Sequence, residues 1–128
     1  MIEEGAVGSV AAVDVVFWSQ LLRPRDVEGK VVIVVDVLRA TSTMLTALHA
    51  GFDAVAVVAS VSSARAKARA FPAGSYLFGG ERGGVKIPGF SLGNSPLEYL
   101  KMNPSEARGK TLIFTTTNGT RAILKTKV

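Results

Sequence analysis

Thr111-Leu112-Ile113-Phe114-Thr115-Thr116-Thr117-Asn118-Gly119-Thr120-Arg121 is an apolar run that breaks into threonines and an Asn-Gly pair. Its apolar, β-favouring residues predict a strand over 111–115. Asn118-Gly119 predicts a turn, and Thr120 opens a last helix. A strand that passes through such a turn into a helix presents amides and hydroxyls to an anion, and Arg121 adds a positive charge nearby. The same residues also suit an ordinary Asn-Gly turn after β-favouring threonines, and on their own they leave both readings open.

Upstream, apolar runs alternate with helical patterns. Val10 to Phe17 is Val-rich and broken only by Asp14, which predicts a first strand. Arg23-Pro24-Arg25-Asp26 reads as a loop. Val31 to Val37 is β-branched with Asp36 near its end, the pattern of a strand buried on both faces. Thr41 to Ala50 carries Leu45 and Leu48 at helical spacing, with Gly51 where a helix-ending glycine would stand. Ala54 to Ala59 is a strand, Ser62 to Phe71 a surface helix, and Ser75 to Phe78 a short strand. Gly79 to Gly93, rich in glycine, reads as a long loop of the kind that carries function. Ser95-Pro96-Leu97-Glu98 matches a capping box, and Asn103-Pro104 closes the helix that follows it.

This alternation predicts an α/β fold, a mainly parallel or mixed sheet with helices on its faces. Ligands of such folds sit at the carboxyl ends of the strands. Two further polar segments fall there. In Asp36-Val37-Leu38-Arg39-Ala40-Thr41-Ser42-Thr43, a carboxylate at a strand end needs a cation or donors to stay ionised. Mg²⁺ suits it, because that ion takes oxygen ligands and often only one or two protein carboxylates. Arg39 suits an oxyanion. An Asp36–Arg39 pair with Thr41 or Ser42 as a helix cap is the plain alternative. In Gly79-Gly80-Glu81-Arg82-Gly83-Gly84, followed by Gly93-Asn94-Ser95-Pro96, glycines let backbone approach a ligand. Glu81 offers a metal ligand or base and Arg82 an anion clamp; a solvated glycine loop is the alternative here.

Composition narrows the chemistry. The 128 residues contain no Cys, which excludes a disulfide scaffold, a thiolate zinc site and a thiolate nucleophile. A metal with an activated water, or Asp36 as nucleophile, remains. The net charge of +5 is uneven: residues 65–128 hold eleven of the 15 Lys+Arg and three of the 10 Asp+Glu. Those bases are scattered singly and aromatics make up only 7% of the chain, so a small anion fits better than nucleic acid. The longest strictly aliphatic run, Val31 to Val35, is far short of the ~20 residues that span a bilayer. With no signal peptide in view, the reading is a soluble, cytoplasmic protein with no membrane partner. His49, the only histidine, lies late in a helix and reads as a structural or surface residue. Phe17 and Trp18 read as core or interface residues.

The segments Val35 to Thr43, Gly80 to Gly84, Gly89 to Pro96 and Thr115 to Arg121 together resemble the 2-phosphosulfolactate phosphatase family, in the family's order and spacing from about residue 14 onward. The resemblance implies a three-layer α/β/α fold and a Mg²⁺-dependent acid phosphatase, a phosphoric monoester hydrolase. It would cleave 2-phosphosulfolactate to sulfolactate and phosphate, a step of coenzyme M biosynthesis, or a related phosphorylated acid. The small substrate would carry phosphate together with sulfonate and carboxylate. Carried over by position, Asp36, Glu81 and Arg39 are the catalytic candidates. Asp36 is the metal-linked carboxylate and Glu81 the second. Thr41, Ser42, Arg82, Asn94, Ser95, Thr117, Asn118, Gly119, Thr120 and Arg121 would line the substrate site. Family members are considerably longer, so residues 1–128 read as one α/β domain lacking its C-terminal part. Such a chain would expose core surface, through which it could form a homodimer or lose activity. An anion-binding module without turnover is the alternative.

Overall fold

The structure, a computed structural model, describes residues 12–126. Four strands, Ala54–Val57 (β1), Tyr76–Arg82 (β2), Val85–Lys86 (β3) and Thr111–Thr115 (β4), form one mixed sheet in the order β1-β4-β2-β3. Six α-helices and a 3-10 turn at Ser19–Leu21 accompany them among the described residues: Pro24–Val27 (α1), Ala40–His49 (α2), Val61–Ala68 (α3), Pro96–Leu100 (α4), Pro104–Ala107 (α5) and Gly119–Lys125 (α6). β4 runs parallel to β1 on one edge and to β2 on the other. β3 folds back antiparallel on the end of β2, pairing Glu81 with Lys86 and Arg82 with Val85. The turn between them is Gly83-Gly84, with φ of 58° and 83°. Two successive positive φ values suit the twist of a tight hairpin, and glycine reaches them without strain.

The apolar run of β4 is buried on both faces because both are covered. Leu112 and Phe114 pack with Ala40 and Ala47 of α2, Phe52, Leu92, Tyr99 of α4 and Ala107 of α5. Ile113, facing the other way, packs with Ala64 and Ala68 of α3, Ile87 and Phe90. Alternate side chains of a strand point to opposite faces, so this one run defines three layers, helix–sheet–helix. Fully burying each of these large side chains is worth about 1.5–3 kcal/mol. Gly80 sits where β2 crosses closest to β4: its φ is 140°, and a Cβ there would overlap the Thr115 carbonyl oxygen.

Several elements differ from the sequence reading. Residues 12–17 and 31–37 carry no strand ladder, and positions 10 and 11 of the first expected strand lie outside the described residues. Val31, Ile33 and Val35 are 94%, 81% and 74% exposed, not buried on two faces. A β-branched run satisfies the local requirement for a strand, but a ladder also needs a neighbouring backbone, and none among the described residues pairs with this one. Phe17 and Trp18 are likewise exposed. Arg23 to Asp26 is a capped helical turn where a loop was expected, because the Asp26 carboxylate accepts from the Arg23 amide at 2.9 Å and from its Nε at 3.1 Å. β2 extends into the expected glycine loop as far as Arg82. Ser95 does start α4, yet Glu98 bonds the amide of Gly93 (2.8 Å) instead of that of Ser95. The reciprocal box forms at Asn103 and Glu106, so Asn103-Pro104 opens α5 as well as following α4.

Two outcomes test this description. Hydrogen exchange should leave the amides of 111–115 far better protected than those of 31–37. Gly80→Ala should cost about 3 kcal/mol or more in denaturant unfolding, since both the φ and the overlap oppose it.

Candidate functional site

Because β1, β2 and β4 are parallel, their carboxyl ends lie on one edge of the sheet, where Ala59 follows β1, Arg82 ends β2 and Thr115 ends β4. Arg82 ties these three ends together. Its guanidinium donates to the Glu81 carbonyl (2.6 Å), the Thr115 hydroxyl (2.8 Å) and the Ala59 carbonyl (3.4 Å). Its charge stands at the site, but its donors are turned on the protein.

Glu81, 6% exposed, is held by donors on both carboxylate oxygens. The Thr117 amide bonds Oε1 at 2.6 Å, while the Gly84 amide and the Thr117 hydroxyl bond Oε2 at 2.7 and 3.0 Å. Gly83 donates in turn to the Thr117 hydroxyl at 3.2 Å. One carboxylate thus joins the β2–β3 turn to the turn between β4 and α6. Burial opposes its ionisation. The Thr117 and Gly84 amides, the Thr117 hydroxyl and the Arg82 charge outweigh that and hold the carboxyl below its ordinary range.

Asp36 is placed by the start of α2. Its amide donates to the Thr41 hydroxyl (3.0 Å), its carbonyl accepts from the Thr41 amide (2.9 Å), and Ser42 bonds the Val37 carbonyl (2.7 Å). The carboxylate lies against the first residue of α6: a Cβ on Gly119 would stand 2.6 Å from Asp36 Oδ2 and 2.5 Å from the Ala40 Cβ. Only glycine admits this approach. The ion pairs among the described residues are Arg23–Asp26 and Lys30–Asp14. The Asp36–Arg39 pair, the plain alternative for both charges, is not formed.

The structure therefore joins Asp36, Thr41 and Gly119 in one contact group and Glu81, Arg82 and Thr117 in another, and the β4–α6 turn links the two. Arg39 is half-buried ahead of α2, and Arg121 is exposed on α6; among the described residues neither guanidinium has a protein partner. Asn118 is exposed and Ser95 half-buried at the start of α4. Thr120 is fully buried, and its hydroxyl exchanges bonds with Thr116. Asn94 is buried, with no partner for Oδ1. Thr115, whose hydroxyl receives Arg82, and Thr43, whose buried hydroxyl also lacks a partner, belong to the polar segments of the sequence but are not among the residues expected to line the substrate site. Their only signal was membership of the Thr-rich stretches. His49 is exposed at the end of α2.

Among the described residues there is no cluster of three or more His, Cys, Asp or Glu side chains. A cation held here would have one or two carboxylates and complete its shell with neutral oxygens and water, which suits a hard ion such as Mg²⁺.

The model of the family described as 2-phosphosulpholactate phosphatase matches residues 16–128. The chain belongs to this family. A "Probable 2-phosphosulfolactate phosphatase" of Carboxydothermus hydrogenoformans is 45% identical over 88% of the chain and 44% of its own length. Proteins of the same name from Caldanaerobacter subterraneus and Symbiobacterium thermophilum are 48% and 49% identical, over 81% and 77% of the chain and 42% and 41% of their own lengths. The chain thus spans less than half the length of these relatives. No helix among the described residues is long and apolar enough to cross a membrane.

The Glu81 clamp predicts a pH dependence. Its folded-state carboxyl titrates below the ordinary value of 4.5, so its stabilisation is complete above that value and is lost as pH falls through the folded-state one. Glu81→Gln should lower stability near neutral pH by about 2 kcal/mol and flatten the acid decline in melting temperature.

Proposed function

We propose that this chain supplies the phosphate-handling edge of a Mg²⁺-dependent phosphatase acting on a small polyanion. In the specific form, 2-phosphosulfolactate and water give sulfolactate and phosphate, a step of coenzyme M biosynthesis; the P–O ester bond breaks and water oxygen joins phosphorus. A related phosphorylated hydroxy acid is the broader form. The observation that carries the reading is Asp36, a carboxylate at the carboxyl edge of a parallel sheet with no cation paired with it among the described residues. Bound Mg²⁺ would neutralise phosphate oxygens and activate water. Asp36 would hold the ion, and its orientation depends on Thr41 and on the bare Cα of Gly119. Arg39 and Arg121, with guanidinium groups free of protein partners among the described residues, would take phosphate, sulfonate or carboxylate oxygens bidentately. Glu81 and Arg82 would keep the turns in place around them. The same reading expects a cytoplasmic enzyme that does not bind nucleic acid. The exposed apolar residues of 13–18 and 31–38 favour a homodimer.

A second reading, anion binding without turnover, is favoured by one observation: among the described residues the Arg39 and Arg121 guanidiniums have no protein partner, while the Glu81 carboxylate is already engaged by Thr117 and Gly84. Phosphate release from phosphorylated hydroxy acids, measured with and without Mg²⁺, separates the two. The phosphatase reading expects Mg²⁺-dependent release that Asp36→Asn lowers by about 100-fold or more. Melting temperatures raised by phosphate or sulfonates, with no release, would select the binding module.

A further inference from the structure

Residues 31–35 are a strand-like run without a partner. Among the described residues, no backbone amide or carbonyl of Val31-Val32-Ile33-Val34-Val35 is hydrogen-bonded. The flanks are anchored. The Lys30 amide donates to the Val27 carbonyl (3.1 Å), and Asp36 is bonded through its amide and its carbonyl to Thr41. Exposure alternates in between: Val31, Ile33, Val35 and Val37 are open, while Val32, Val34 and Asp36 are more covered. A period of two is that of extended backbone. A row of unpaired backbone groups carrying apolar side chains is a template for another strand.

The charge pattern of the run selects its partner. Lys30-Val31-Val32-Ile33-Val34-Val35-Asp36 carries a base at one end, an acid at the other and five aliphatic residues between them. Laid antiparallel on a second copy with Ile33 on the two-fold axis, each Lys30 stands opposite the Asp36 of the other chain. Val31 then opposes Val35, and Val32 opposes Val34. Moving the axis to Val32 or Val34 puts Lys30 opposite Val34 or Leu38 and loses both charge pairs. Opposite charges and β-branched pairs across a ladder are favourable, and a two-fold contact closes on itself. Antiparallel strands exchange hydrogen bonds at every second pair. Because the Asp36 backbone is already engaged by Thr41, the bonded pairs are Ile33 with Ile33 and Val31 with Val35, which leaves Asp36 undisturbed.

We propose that residues 31–35 form a two-stranded antiparallel ribbon with the same residues of a second copy of this chain, centred on Ile33, and that each copy lends its Lys30 to the Asp36 of the other. Among the described residues Lys30 Nζ meets only the exposed Asp14 carboxylate, at 3.0 Å. Exposed pairs of this kind contribute little, so the ammonium is available to the second copy. Beside Asp36 it adds to the positive charge that a phosphorylated ligand would meet. The proposal rests on the homodimer of the reading above, to which it gives a geometry, and needs neither Mg²⁺ nor turnover.

Single-cysteine variants read the register, because the chain has no cysteine of its own. The two Ile33 Cα atoms of a bonded pair would lie about 5.5 Å apart, within disulfide range. Under mild oxidation Ile33→Cys should cross-link at least about tenfold faster than Val31→Cys or Val35→Cys alone. A mixture of those two variants should cross-link within about threefold of the Ile33→Cys rate. Light scattering of the wild type should show a dimer at submillimolar concentration. On dilution the amides of 31, 33 and 35 should lose protection from hydrogen exchange, staying below those of 111–115 throughout. Lys30→Glu and Asp36→Lys should each weaken the dimer about tenfold, and the two together should restore it. Circular dichroism and a cooperative melt check that each variant folds. Equal cross-linking at positions 31, 33 and 35 would overturn the proposal. So would a monomer at millimolar concentration, whether its 31–35 amides are exposed or protected by its own chain. A wild-type dimer that neither cross-links at position 33 nor responds to the charge variants would refute this geometry while leaving the homodimer in place. The expected dimer with no phosphate released would support the proposal and count against the phosphatase reading alone.

Discussion

Parallel pairing of β4 on both of its edges is the constraint on which the rest of this structure depends. Parallel strands place their carboxyl ends together, so the polar segments after β1, β2 and β4 are gathered on one edge although they are far apart along the chain. The same pairing buries β4 completely and obliges its alternate side chains to face two helical layers, Leu112 and Phe114 toward α2, α4 and α5, Ile113 toward α3. The close crossing at Gly80 is a consequence: β2 can approach the Thr115 carbonyl only where no Cβ intervenes.

On that edge the polar groups divide into those bonded within the protein and those without a protein partner among the described residues. Arg82 and Glu81 are used. One straps three strand ends together, and the other staples two turns through backbone amides. Their charges still shape the local potential, but their hydrogen-bonding capacity is largely engaged. Asp36, Arg39, Arg121 and Asn94 make no such side-chain bonds among the described residues. A ligand that met these open groups would find a frame already formed without it, which lowers the cost of ordering on binding.

Much of this was legible in the sequence. The strand at 111–115, the glycine after α2, the proline that starts α4 and the position of the polar segments at strand ends all follow from local chemistry. The errors share one cause. Val31 to Val37 has the composition of a buried strand, yet a ladder is a relation between two backbones and composition describes only one. Glu98 has the spacing of a capping-box residue relative to Ser95, but the amide it reaches is that of Gly93, a choice made by the path of residues 92–94 along β2. Partners are likewise invisible in a sequence: nothing in it shows that donors of Arg82 meet Ala59 and Thr115.

The sequence by itself determined the α/β class, the chemistry at hand (carboxylates, arginines and hydroxyls without thiols) and the segments that carry it. Those are properties of residue type and short-range spacing, which the backbone expresses locally. Only the tertiary structure decided which of those groups are already satisfied and which remain open. That depends on partners 33 to 36 positions away, as with Arg82 and Thr115 or Glu81 and Thr117, and such contacts exist only once β2 and β4 are paired.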